Sequence, residues 1–316
     1  MKPLALLETV LYAAFFTVCW GFTLTVYGNQ PHCKYYLLVT LSSFLCFIFA
    51  AVLLVPLLSN LIPQFSKRIK YEKIGLWNNT FVSCLHAAMI GSMVIGTFLT
   101  KSAVMYSDFQ RGSSPLAVTL LSITTGYFAY DTLHMAVYRL HVKDPSIILH
   151  HFAIIACNTV ALHSERCIPY VVAPLLSEVN SVFLHWRKLL AMLKDGVRGV
   201  GSGEWGGAPS SLSVTGSRGS LLYQFAWKGL WVTFLWFRAL PCVAVAVIAW
   251  QMRADFEVVL HFYLGFSGIS AINVLNFFLW RQLTAVQDKE QEGREVGGTV
   301  DERAGSRRGV EKAKSS

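Results

Sequence analysis

The chain has 316 residues, of which 54% are hydrophobic and only 14% charged. That balance supplies far more apolar surface than one water-soluble core needs, and it excludes an ordinary soluble domain. The net charge of +9 comes mainly from polar loops and helix ends, which suits contact with anionic lipid headgroups and gives no sign of nucleic-acid binding.

A hydrocarbon core of roughly 30 Å takes about 20 helical residues to cross. Eight apolar windows of that kind are predicted, at 6–27, 36–61, 77–99, 115–138, 146–163, 168–190, 221–250 and 257–280. Long alternating segments of the barrel type are absent, so the spans are helical and the fold class is an all-α polytopic membrane protein. The first window carries one Lys before a run that is long for a signal peptide and ends in no small-x-small site, and it reads as an uncleaved span. Only "HSERC" separates the fifth window from the sixth, which predicts a tight turn there.

With both ends on the cytoplasmic side, the inner segments before the tail hold Lys2, Lys67, Arg68, Lys70, Lys73, Arg139, Lys143, Arg187, Lys188, Lys194, Arg198 and Arg218. The outer segments hold Lys34, Lys101, Arg111, Arg166 and Arg253. The bias supports eight spans and a cytoplasmic C-terminus. Two segments fall outside the spans. Residues 195–220 are rich in Gly and Ser and predict a flexible cytoplasmic insert, and residues 283–316 predict a polar, disordered tail.

The seven cysteines form no C-x-x-C pair and no metal pattern. Cys33 and Cys167 share the predicted outer side, where a disulfide is one option. The sequon at Asn78 falls at the cytoplasmic end of a span, away from glycosylation. Trp77, Trp186, Trp227 and Trp280 lie near predicted inner ends, as an aromatic belt would. No Walker, Rossmann or zinc-protease motif is present, and no cofactor or metal is expected.

Ionisable groups at membrane depth are costly unless they face partners or a wet cavity. His86, Asp131, His134, His150, His151, Glu178, His185, Lys228 and Arg238 are of this kind. Helical rise places Asp131, His150 and His185 in one layer near the inner boundary, with His86 and Glu178 deeper. Adjacent residues on a helix point about 100° apart, so one of His150 and His151 can line a cavity while the other bonds to a neighbouring helix. Pro174, about one turn before Glu178, predicts a kink that frees a carbonyl beside the acid. Arg238 needs a carbonyl, a carboxylate or an interface as its partner.

Four fragments in order on successive spans, "LWNNTFVSCLHA", "GYFAYDTLHM", "LHHFAIIA" and "LLSEVNSVFLHWRKLL", resemble the TLC domain family, which includes ceramide synthases and translocating-chain-associating membrane proteins. The resemblance covers roughly 70–282 and implies a six-helix domain preceded by one or two N-terminal spans within 1–69. "GYFAYDT", "LLSEVNSVFLHWRKLL" and "FRALP" are most similar to TLC domain-containing proteins 1 and 2. That likeness implies a role in phospholipid fatty-acyl composition and membrane fluidity, with phospholipids or acyl lipids as partners and the plasma membrane as location. The terminal "KAKSS" instead fits a dilysine signal for the endoplasmic reticulum.

Ceramide synthases pair their histidines with a following "LHD" and a further Asp. Here Ser177 stands at that His, Glu178 at the first Asp and Ser181 at the second, which argues against ceramide synthesis. The candidate site is therefore Asp131, His150, His151 and Glu178. They serve as a lipid cavity, as the groups of a lipid acyltransferase using acyl-CoA as co-substrate, or as polar ties between helices. A trafficking or scaffold protein of the endoplasmic reticulum is a further alternative.

Overall fold

The computed structural model describes residues 33–61, 74–140, 146–200 and 221–314. The first apolar window and most of the predicted insert lie outside the described residues. Among the described residues the chain is helical throughout and has no strand.

The first helix, α1 (Cys33–Phe49), runs through a π turn (Ala50–Leu54) into α2 (Val55–Leu61). Two long helices follow, α3 (Ile74–Tyr106) and α4 (Pro115–Val137), then α5 (Ser146–Ser164). A short α6 (Ile168–Val172) passes through a 3₁₀ turn (Ala173–Leu176) into α7 (Ser177–Val200). Helix α8 (Leu221–Thr233), a π turn (Phe234–Ala239) and α9 (Leu240–Gln251) form one bent rod, and α10 (Val259–Lys314) ends the described chain.

Every irregular turn in these rods adjoins a proline. Pro56 follows the first π turn, Pro174 lies in the 3₁₀ turn and Pro241 follows the second π turn. Proline lacks an N–H and crowds the carbonyl one turn back, so the ladder before it must re-register. Asn78 takes up part of the disturbance, because its Nδ2 donates to the Ala51 carbonyl at 3.3 Å. Its amide is thus buried between helices.

Among the described residues five stretches are long and apolar enough to cross a membrane: Cys33–Asn60, Ile74–Tyr106, Ile147–Ser164, Leu221–Gln251 and Val259–Lys289. Helices α4 and α7 do not reach that apolarity, although both fall in windows predicted as spans. The reason is their position. Helix α4 packs against α1, α3 and α5, and α7 packs against α3 and α8. Most of α4 is buried, including Thr124, Thr125, Asp131, Thr132 and His134. A helix sheathed by other helices needs little apolar surface for lipid and can carry polar residues on several faces.

Glycine permits the closest approach. A Cβ on Gly126 of α4 would lie 2.4 Å from the Thr40 carbonyl oxygen of α1. Beside this contact, Phe47, Ala51, Val55, Trp77, Tyr127, Phe128 and Tyr130 form one buried cluster. Trp77 is 4% exposed and donates to Ser59 Oγ at 3.2 Å, so it is a core residue and not part of an aromatic belt.

At one end of the bundle three connections meet. Glu257, before α10, pairs with Arg111 of the α3–α4 connection and with Arg166 after α5, the latter at 2.7 Å. The Cys167 amide donates to the Gln110 carbonyl at 2.8 Å, and Tyr36 of α1 donates to Glu165 at 2.6 Å. Cys33 and Cys167 at this end are both free thiols, which corrects the disulfide option. Cys33 Sγ lies instead 3.8 Å from His163 Nδ1.

The chain divides into two compact units, Met1–Ile272 and Asn273–Ser316. In the second, Phe277 packs on Trp280 at 5.9 Å between ring centroids. The helical backbone continues to Lys314 through the segment that the sequence reads as disordered. Its Glu, Gln, Lys and Arg residues are good helix formers, so the local preference agrees with that backbone.

Candidate functional site

The site is built on α4 and α5 and closed by α3, α7 and the second π turn. Asp131 and Thr132 lie near the end of α4, and His150 and His151 lie one turn into α5. The α4–α5 connection brings these ends side by side. His151 Nε2 lies 3.4 Å from Asp131 Oδ2, and both side chains are buried. The other ring nitrogen, Nδ1, lies 3.3 Å from Thr132 Oγ1. His151 thus spends both nitrogens on the neighbouring helix.

His150 does not share that arrangement. Its ring meets Phe128 edge to face at 6.1 Å, and its Nδ1 has no hydrogen-bond partner among the described residues. His150, Glu178, His185 and Arg238 are each surrounded by protein, yet each keeps some accessible surface. His150, Glu178 and His185 are each within electrostatic reach of Arg238.

Arg238 is held by α7. Its Nε donates to Asn180 Oδ1 at 2.8 Å, and one Nη donates to Ser181 Oγ at 2.6 Å and to the Ser177 carbonyl at 3.3 Å. Asn180 is oriented in turn by donating to the Leu230 carbonyl at 2.8 Å and to Thr233 Oγ1 at 3.0 Å. The 3₁₀ turn at Pro174 and the π turn before Pro241 thus place Glu178 and Arg238 in mutual electrostatic reach. Ser177 and Ser181, at the positions where the ceramide synthase pattern has His and Asp, instead anchor a guanidinium.

His86 of α3 stacks on Tyr127 at 3.6 Å between centroids, nearly parallel, and is fully buried. Its Nε2 has no hydrogen-bond partner among the described residues. Asn79 and Tyr127 flank Asp131, whose Oδ1 likewise has none among them. Several polar atoms therefore point inward with unused hydrogen-bonding capacity, as expected where a polar ligand group or water is accommodated. Among the described residues no group of three His, Cys, Asp or Glu side chains is arranged to hold a metal ion.

The structure brings Asp131 and His151 into contact beside His150 and places Glu178 within electrostatic reach of Arg238. Thr132 and Asn180 were not singled out from the sequence. A Thr beside an Asp in a helix reads as an ordinary residue bonded to its own backbone, and only the packing of α5 reveals its second contact. Asn180 had a weak signal, an amide two residues past a buried acid in an apolar run.

A sequence profile of the TLC domain matches residues 76–285. TLC domain-containing protein 2 of Danio rerio is 30% identical over 131 residues, which is 42% of this chain and 51% of that protein. Its Mus musculus counterpart is 31% identical over 118 residues, 37% of each chain. The Homo sapiens counterpart is 26% identical over 220 residues, 69% of this chain and 72% of that protein. The matched segment thus spans about half of the Danio rerio protein or less of the Mus musculus one. No solved structure matches the chain.

Proposed function

Because the chain belongs to the TLC domain family, we propose that it regulates the fatty-acyl composition of membrane phospholipids, and through it membrane fluidity. The observation that carries this reading is a set of buried polar groups between the helices. Asp131 and His151 meet across two helices, and His150, Glu178 and His185 are each within electrostatic reach of Arg238. Polar groups at such depth are retained where they meet a ligand. Phospholipids or acyl lipids suit the place, since their chains lie along apolar helix faces while a headgroup or ester reaches the polar layer. The plasma membrane or the endoplasmic reticulum is the proposed location, with the C-terminus cytoplasmic.

A second reading is a lipid acyltransferase. It is favoured by the ring nitrogen Nδ1 of His150, which has no hydrogen-bond partner among the described residues and in this reading acts as a base or accepts an acyl group. Acyl-CoA is then the co-substrate. A trafficking or scaffold role predicts unchanged lipids on deletion of the protein, with altered delivery of client proteins.

The deciding experiment compares the lipids of null cells that re-express wild type or the His150→Ala/His151→Ala double variant at matched levels. The reading expects wild type to shift phospholipid acyl chains and the variant not to. Equal profiles for the two proteins would leave the histidines as ties between helices. A defined product formed from acyl-CoA by purified protein would establish the enzyme instead.

A further inference from the structure

The proton inventory of the Asp131–His151 contact follows from Thr132. Thr132 Oγ1 lies 2.7 Å from the Phe128 carbonyl one turn back. A carbonyl only accepts, so the single hydroxyl hydrogen is spent there. The same oxygen lies 3.3 Å from His151 Nδ1 and so accepts from it. Nδ1 therefore carries a hydrogen, and in a neutral imidazole Nε2 is then a bare lone pair.

That lone pair faces Asp131 Oδ2 at 3.4 Å. An ionised carboxylate beside a neutral ring would set lone pair against lone pair across this contact and place a net negative charge in a buried site where no cation among the described residues touches it. We infer that Thr132 fixes the tautomer of His151, and that one proton is shared between His151 Nε2 and Asp131 Oδ2, which makes the pair a net-neutral unit. The count is the same whether the proton rests on the carboxyl or forms an imidazolium facing a carboxylate. The other groups around Asp131 are Asn79 and Tyr127, whose side chains are placed to donate toward the carboxyl, and the more distant His134 and Lys188; among the described residues none of them is within full hydrogen-bond geometry of Oδ1.

The two adjacent histidines therefore do different work. His151 donates from Nδ1 and is engaged at Nε2, so it has no nitrogen left for a ligand. His150 Nδ1 has no such partner among the described residues. Thr132 is a positioning residue that acts through His151. The ligand-facing part of this assignment rests on the lipid-binding reading above, whereas the proton count does not.

The test is nuclear magnetic resonance on the full chain in lipid nanodiscs, with histidine labelled with ¹⁵N and aspartate with ¹³C. The expected result is a His151 protonated at Nδ1, with either a protonated Asp131 carboxyl or a doubly protonated His151 ring. Thr132→Val should shift the His151 nitrogen signals and leave those of His150 in place, and Thr132→Ser should restore the wild-type pattern. An ionised Asp131 beside a neutral His151 that carries its hydrogen on Nε2 would overturn the inference, as would unchanged His151 signals in Thr132→Val. If the valine variant does not fold, Thr132→Ala removes the same acceptor, and the wild-type spectrum alone decides the proton count. No lipid turnover enters this readout, so it fails or succeeds independently of the lipid comparison.

Discussion

Gly126 of α4 lies so close to the Thr40 carbonyl of α1 that a methyl group on it would sit 2.4 Å from that oxygen, and 2.9 Å from the Phe44 amide nitrogen. These are backbone atoms of a helix and cannot rotate away. Gly126→Ala should therefore push the two helices apart and cost about 1–3 kcal/mol, the usual penalty of overpacking. Gly91→Ala meets Val179 at 3.3 Å and should cost less. Thermal unfolding of both variants in detergent checks the order, and an unaffected Gly126→Ala would mean that α1 and α4 are further apart.

Arg238 depends on its planar fork, because Nε reaches Asn180 while an Nη reaches Ser181 and the Ser177 carbonyl. Arg238→Lys keeps the charge but cannot reproduce that geometry, and it should be destabilised. Arg238→Met leaves Asn180 Oδ1 without its donor and removes the cation whose charge reaches Glu178, and it should lose on the order of 1–3 kcal/mol. Adding Glu178→Gln should recover part of the loss. Unfolding curves for the four proteins test this, and additive losses would show that the two groups do not interact.

Asp131→Ala leaves His151 Nε2 without its partner in a buried position. The expected loss is about 1–3 kcal/mol. The double variant Asp131→Leu/His151→Leu should be less destabilised than the sum of its parts, since it removes both polar groups together. A double-mutant cycle measures the coupling, and a coupling of zero would contradict the contact.

The ion cluster at the loop end predicts a pH dependence. The Arg111 hydrogen bond first, and then Arg166, hold the Glu257 carboxyl below the usual glutamate range. The Gln110 and Arg111 amides do the same for Asp108. A depressed carboxyl contributes stability above its unfolded value and loses that contribution as pH falls through its folded value. Thermal stability should therefore decline below about pH 4, and Glu257→Gln should flatten part of the decline. Added salt should weaken the same contribution, because the cluster is exposed. A Glu257→Gln profile that overlays wild type would assign the decline to other groups.

The polytopic helical fold was legible because apolar windows of spanning length are a strong signal, and five of the predicted windows coincide with long apolar helices. That Asp131 lies level with the start of α5 followed from helical rise alone. What stayed hidden depended on side-chain direction and on helix irregularity. Nothing local in "FRALP" says that a π turn before Pro241 brings Arg238 onto Asn180 and Ser181. Likewise Trp77 sits where a belt residue would, and only the position of α2 makes it a core residue.

The sheathed position of α4 bears on how the protein is made. With Thr124, Thr125, Asp131, Thr132 and His134 on its faces, this helix gains too little from lipid to leave a translocation channel by itself. It must be released together with the helices that cover it, α3 before it and α5 after it, so that its polar atoms pass directly from a wet channel to protein partners. Assembly of the candidate site is then a condition of biogenesis. Variants that break the Asp131–His151 contact should reduce the amount of protein delivered to the membrane as well as its stability once there.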